Sequence, residues 1–281
     1  MNNVTNSLSI VATPIGNLED ISYRAVSILK ECDIIICENP KHSLKLLNKL
    51  GIKKKLFALH DYNEEKIIAQ IESLLQNKNC ALISDAGSPL ISDPGYNLIQ
   101  YCIKNKIRIT SIPGPSSIIS SLQLSGLPLS EFTFFGFVPK SKNKLEDLIK
   151  QLSKEKRTSV LFVSNHKLLI FIEMLEKFIP ERSISICKEL TKINEFVFRG
   201  VSSKVKKDIL QKKENLKGEF VAVVNGETHK KHDFEDIELY RMELKKMVAK
   251  FSLTDIVEIV HKFTKINKNK IYKWLLDLKR K

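Results

Sequence analysis

The segment SDAGSPLISDPG, Ser84–Gly95, places two Asp, two Gly, two Pro and three Ser directly after the apolar run CALI. Turn residues at that density interrupt a buried strand where a loop has something to hold. Two other loops share the chemistry: TPIGN, Thr13–Asn17, and PGPSS, Pro113–Ser117. Gly16, Gly87 and Gly114 permit positive φ or close backbone approach. Pro14, Pro89, Pro94, Pro113 and Pro115 stiffen the loops, so less entropy is lost when a ligand binds. One such loop reads as an ordinary strand-to-helix connection. Three in one half of the chain read as the walls of one cleft. There is no GxxxxGK[ST] and no GxGxxG after a strand, which argues against a phosphate-led nucleotide. Asp and carbonyl acceptors suit a zwitterionic or cationic ligand with hydroxyls. No HExxH or Cys/His cluster suggests a metal.

The loops need strands that end at a common edge. LSIVAT (Leu8–Thr13), CDIIIC, KLFAL, CALIS and IRITSI read as strands. Helical patterns lie between them: LEDISYRAVSILKEC with Ile21, Ala25, Ile28 and Leu29 at helical spacing, SLKLLNKLG, NEEKIIAQIESLLQN, PGYNLIQYCIKN with Pro94 in its first turn, and PSSIISSLQLSG. Gly51 and Gly126 would end two of these. The βα alternation predicts a mostly parallel sheet covered by helices. Ligands of such open sheets sit outside the C-terminal strand ends, where all three loops fall. GLPLSEF, Gly126–Phe132, breaks the rhythm. Beyond it FTFFGFV, TSVLFV, SISIC, NEFVFRG and GEFVAVV read as strands of a second α/β unit with some antiparallel pairing. NGETHKKHDFED is a polar linker to a basic helical tail. Residues 1–130, 131–228 and 238–281 are the expected domains, which suits a length of 281 residues.

The formal net charge is +14. Such a surplus favours polyanions, nucleic acid first, although a chain rich in Lys, Ile and Asn can acquire it by compositional drift. Its distribution says more: Arg241–Lys281 holds 12 Lys and Arg against 4 Asp and Glu. The tail would form two short helices sharing an apolar face of Leu253, Ile256, Ile259, Val260, Ile271, Trp274, Leu275 and Leu278, with its lysines in solvent. That basic surface is either simply solvated or a clamp on phosphates. Five scattered cysteines with no CxxC read as reduced, buried thiols of a cytoplasmic protein. No run approaches a membrane span, and the N-terminus lacks a signal-peptide pattern.

VATPIGNLEDISYRA, LFALHDYNE, SDAGSPLISDPGY, IPGPSSIISSLQLSGLP and FFGFVPKSK follow one another between Leu8 and Lys142. Together they resemble the signature blocks of the bacterial small-subunit rRNA (cytidine) 2'-O-methyltransferases, within the tetrapyrrole methylase superfamily. KELTK (Lys188–Lys192), KGE (Lys217–Glu219) and the tail extend the resemblance over nearly the whole chain. It implies a two-domain α/β fold with a small basic C-terminal helical domain, and S-adenosylmethionine (AdoMet) in the cleft between the halves. It further implies a homodimer, 16S rRNA in the small ribosomal subunit as partner, and no membrane. Carried onto this sequence, the AdoMet contacts would be Pro14, Asp85, Ala86, Gly87, Ser88, Ile91, Ser117 and Ile118. Phe162 and Leu190 would close the cleft from the second domain.

The implied reaction, methylation of a cytidine ribose in the decoding centre, needs an aligned methyl group, a hydroxyl that loses its proton, and an immobilised RNA. Glu38, at the end of CDIIIC, is the first candidate base, and Asp93, His60 and Asp61 are others. Each equally suits a cap, an Asx-turn or a buried acceptor, and Asp93 before Pro94 fits an N-cap. Lys41, Lys262, Lys265, Lys268, Lys270 and Lys273 are the expected RNA contacts. Departures from the family pattern fall on the substrate side. EDTR reads ENPK here, with Asn39 and Lys41, and Lys loses bidentate phosphate recognition. Val163 stands where a Glu is expected, and RELT reads KELT. Two other functions compete: a precorrin-type tetrapyrrole methylase, which the basic tail and TPIGN oppose, and a nucleic-acid-binding relic without turnover.

Overall fold

The computed structural model describes residues 6–60, 62–227, 241–248, 250–264 and 266–280. It forms two compact units, Met1–Gly226 and Glu227–Lys281.

In the first unit, β1 (Ser7–Val11), β2 (Ile34–Cys37), β3 (Lys55–Ala58), β4 (Asn79–Ile83) and β5 (Arg108–Ile112) make a sheet of order β3-β2-β4-β1-β5. Every pair in it is parallel. Helices α1 (Tyr23–Glu31), α2 (Pro40–Lys49), α3 (Glu64–Asn77) and α4 (Tyr96–Lys104) cover its two faces, and α5 (Ser117–Ser125) follows β5. Strand alternation sorts the core. Ile34 and Ile36 join Leu8, Leu82 and the α3–α4 side, while Ile35 and Cys37 join Val11, Ile83 and the α1–α2 side. Burial on both faces is why the central strands β2 and β4 read as unbroken apolar runs. The chain runs outward from β1 to β3, then returns to insert β4 beside β1. The switch point therefore lies between β1 and β4, and the loops after those strands flank it.

The second sheet holds β6 (Phe132–Phe137), β7 (Thr158–Val163), β8 (Ser183–Lys188), β9 (Phe196–Val201) and β10 (Phe220–Val224) in the order β6-β7-β10-β8-β9. It is mixed: β6 runs parallel to β7, and the other pairs are antiparallel. One face packs on α6 (Lys142–Lys154), α7 (Asn165–Phe178) and α8 (Ser202–Leu210). The other packs on Ile15 and Leu122. Helix α5, contributed by the first half of the chain, thus seats on the second sheet, and Ser185 Oγ donates to the Ser125 carbonyl at 2.7 Å.

Two helix starts differ from expectation. Residues Leu18–Asp20 form a separate 3-10 turn, Ile21 is extended, and Ser22 caps α1 by accepting from the Ala25 amide. Helix α4 starts at Tyr96, so Pro94 lies outside its first turn.

Among the described residues the second unit has three helices rather than two: α9 (Arg241–Val248), α10 (Leu253–Thr264) and α11 (Lys268–Arg280). Their core is Leu244, Ile256, Val257, Ile266, Ile271 and Leu275, with Trp274 packed against it. Ile259, expected in that core, is 41% exposed, and Val257 takes the inward place. The expected linker falls largely outside the described residues. No described helix is long and apolar enough to cross a membrane. All five cysteines are buried. Burial pushes the Cys80 and Cys187 thiols up to about 12 and those of Cys32 and Cys102 to about 11, so none is a ready nucleophile.

Candidate active site

The loop after β4 is pinned at its start. Thr13 and Gly87 exchange backbone hydrogen bonds of 2.8 and 3.0 Å. Ser84 Oγ donates to the Ala86 and Gly87 carbonyls, and Thr13 Oγ1 donates to the Ser84 carbonyl at 3.2 Å. The path then turns left-handed at Gly87, Leu90, Ser92 and Gly95, with φ of 79°, 74°, 68° and 126°. Leu90 and Ser92 have no glycine freedom, so the fold holds them in a costly conformation, as functional loops often are. Asp85 accepts from the Asn39 amide at 3.3 Å, which ties ENPK to this loop. Asn39 itself caps α2, accepting from the amides of Lys41 and His42, with Pro40 in the first turn. The departure from an acidic residue there keeps the cap.

The loop's far end is held by a residue the sequence did not suggest. Glu64, 5% exposed on α3, accepts from the Gly95 and Asn97 amides, the latter at 2.8 Å. This carboxylate from a neighbouring helix caps α4, and Gly95 rather than Asp93 occupies the N-cap position.

The second sheet supplies the opposite wall, where KELTK and KGE meet. Glu189 accepts from the Glu219 amide at 2.8 Å and from Lys192 Nζ at 3.0 Å, and Lys192 also pairs with Glu219 at 2.7 Å. Burial pushes the Glu189 carboxyl up, but the bonds from the Glu219 amide and Lys192 outweigh it and hold it below its ordinary range. Glu189 and Thr191 are left-handed, at φ of 50° and 64°. The two walls touch at TPIGN: the Asn17 amide donates to Thr191 Oγ1 at 3.0 Å. A Cβ on Gly16 would lie 2.5 Å from Lys192 Cγ and 2.9 Å from the Leu190 carbonyl, which is why this position is glycine.

Between the walls is a cleft of about 840 Å³, the size of a small-molecule site. Ile15, Ile91, Ile118, Leu190 and Val221 contribute apolar surface, together with Phe132, Phe134, Phe137 and Phe162. Every charged side chain on the lining is a carboxylate: Asp85, Asp93 and Glu219. In a chain of net charge +14 this local sign selects for a cationic or zwitterionic ligand. No group of His, Cys, Asp and Glu able to hold a metal ion occurs among the described residues.

Nine of the ten expected AdoMet contacts line this cleft: Asp85, Ala86, Gly87, Ser88, Ile91, Ser117, Ile118, Phe162 and Leu190. Pro14 is buried between Thr13 and Ile15 and does not line it. Asp93 reaches the cleft and also borders a small void behind the loop, where Glu38 stands with Leu59, Leu82 and Pro89. His60 donates its amide to Asn63 Oδ1 in a local turn, and Asp61 lies outside the described residues. Val163 lines the cleft as a buried apolar residue. Lys41 is exposed in the first turn of α2. In the second unit Lys262, Lys268, Lys270 and Lys273 are exposed, and Lys265 lies outside the described residues.

A parallel sheet with its cleft at the switch point, facing a second mixed sheet, is the architecture of a two-sheet α/β methylase. Residues 7–206 match the family of Tetrapyrrole (Corrin/Porphyrin) Methylases. The crystal structure of uroporphyrin-III-C-methyltransferase from Thermus thermophilus has the same fold, with a TM-score of 0.54 over 78% of this chain and 94% of that one, at 19% identity. Three relatives named "Ribosomal RNA small subunit methyltransferase I" are more similar in sequence. The Pasteurella multocida protein is 35% identical over 99% of both chains. The Thermotoga maritima protein is 43% identical over 78% of this chain and 98% of its own. The Escherichia coli O157:H7 protein is 35% identical over 98% of this chain and 96% of its own. The chain belongs to the ribosomal RNA small subunit methyltransferase I branch of the tetrapyrrole methylase family.

Proposed function

We propose that this methyltransferase moves a methyl group from AdoMet to the 2'-hydroxyl of a cytidine in the decoding centre of 16S rRNA. It acts on the small ribosomal subunit, and as a homodimer. The observation that carries the chemistry is the cleft, apolar in its walls and acidic in every charged group, within a strongly basic chain. The names of the relatives carry the choice of acceptor.

The residues present fit AdoMet. Ile118, Leu190 and Ile15 offer flat apolar surface for a purine, Ser88 and Ser117 offer hydroxyls, and Asp85 and Glu219 offer carboxylates for the ligand's cationic and hydroxyl groups. When bound, AdoMet supplies an activated methyl group on a sulfonium. The chain's own part is to align and to deprotonate. Of the candidate bases, Asp93 lines the cleft and would accept the proton of the acceptor hydroxyl. Glu38, behind the same loop, would hold that loop in place. The basic second unit would bind rRNA phosphates, with Lys41 contributing from α2.

Methyl transfer from labelled AdoMet to small subunits that lack the modification, followed by mass spectrometry, tests this. One 2'-O-methylcytidine is expected. No transfer from protein that binds both AdoMet and subunits would overturn the reading, and transfer to a tetrapyrrole instead would replace it.

A further inference from the structure

Strand β6 reads FTFFGF, and simple alternation would direct Phe132, Phe134 and Gly136 to one face. The structure breaks that count. Phe132 pairs with Thr158 and Phe134 with Val160, but Phe137 pairs with Phe162, one residue out of step. Gly136 absorbs the extra residue at φ 71°. A bulge of this kind re-aims the side chain that follows it. Phe137 therefore joins Phe132 and Phe134 on the cleft lining, while Phe135 packs into the core on the other face.

The result is an aromatic ledge. Phe162 meets Phe134 edge-on at 4.9 Å and Phe137 at 5.1 Å. Phe134 and Phe162 are half-buried, whereas Phe137 is 60% exposed. Its neighbour Gly136 approaches Ser92: a Cβ there would lie 4.0 Å from Ser92 Oγ. The strand that carries the exposed ring thus passes Ser92, and the ring shares the cleft lining with Ser92 and Asp93. Of the residues expected to contact AdoMet, Phe162 touches this ring, whereas Asp85–Ser88, Ser117–Ile118 and Leu190 belong to other segments of the lining. An exposed phenyl ring on the lining of a site that must receive one nucleotide has a chemical complement: the face of an unstacked base.

We propose that Phe137 is the stacking platform for the base of the acceptor nucleotide. The inference rests on the reading of the cleft as an RNA-modifying site and deepens it. Stacking on a side chain is tolerant of base identity, so this ring would fix the nucleotide's position rather than its sequence.

The test uses the full chain with Phe137→Leu, which keeps apolar bulk without a ring, Phe137→Ala, and Phe137→Trp. AdoMet affinity is read by calorimetry, affinity for unmodified small subunits by filter binding, and turnover by labelled methyl transfer. Phe137→Leu and Phe137→Ala should weaken subunit affinity or kcat/KM by about tenfold to a hundredfold. AdoMet affinity should stay within about twofold, and Phe137→Trp should restore activity. Weakened AdoMet affinity with unchanged subunit affinity would assign the ring to the methyl donor and overturn the inference. No change in either would overturn it too. If wild-type protein binds subunits without transferring methyl, the catalytic reading fails alone, and the subunit affinity of Phe137→Leu still decides the inference.

Discussion

Glu189 shares its carboxylate between the Glu219 amide and the Lys192 ammonium while its own backbone is left-handed. These bonds favour the charged form, so the stabilisation they give is complete above the ordinary carboxylate range. It is lost as pH falls through the lowered folded-state value. Glu189→Gln should therefore destabilise the fold by about 2 kcal/mol at neutral pH. In urea melts repeated at falling pH, the gap to wild type should close in acid; a gap independent of pH would show that the charge is irrelevant. The residue types on the cleft were legible in sequence because Asp85–Ser88 sit in one contiguous loop. The partnership of Glu189 with Glu219 was not, because it spans 30 residues and exists only once β8 and β10 have paired.

At the scale of elements, strands were easiest to read, above all β2, β4, β7 and β10, which are apolar runs buried on both faces. Helix starts were harder. Asp93 before Pro94 has the residue types of a cap, yet α4 is capped from α3 by Glu64. No local signal announces a cap borrowed from another helix. Glu64→Ala leaves two amides without their carboxylate and should cost about 1–3 kcal/mol, seen as a lower melting midpoint. Asp93→Ala should lower that midpoint less than Glu64→Ala does and lower kcat by about a hundredfold or more, as expected for loss of a general base. The reverse pattern would restore Asp93 to the role of cap. The β6 bulge was equally hidden: FTFFGF has the composition of a plain strand, and only the pairing with β7 shows where its count slips.

For the molecule as a whole, charge is unevenly placed: acidic among the groups lining the cleft, basic on the second unit. The excess of Lys in the tail was plain from composition, but its third helix and the inward turn of Val257 came only with packing. Lys268 is shared with Glu258 at 3.1 Å, whereas Lys262, Lys270 and Lys273 are exposed and have no salt-bridge partner within 4 Å among the described residues. Replacing those three with Ala should weaken rRNA binding most at low salt. It should also flatten the dependence of log affinity on log salt by about 0.9 or less per lysine, depending on how many phosphate contacts are lost. Weaker binding with an unchanged slope would place the phosphate contacts elsewhere.

The strand order of the second sheet sets a timetable for synthesis. Strands β7 and β8 are joined through β10, the last of the described strands to be made. The first sheet is complete by Ile112, but the wall opposite it cannot close until Val224 has emerged, and the Asn17–Thr191 bond bridges 174 positions. Domains fold as they leave the ribosome, so this chain would acquire the floor of its cleft early and the roof at the end. An unfinished chain would thus be unable to hold its methyl donor while still tethered to the kind of particle it is proposed to modify.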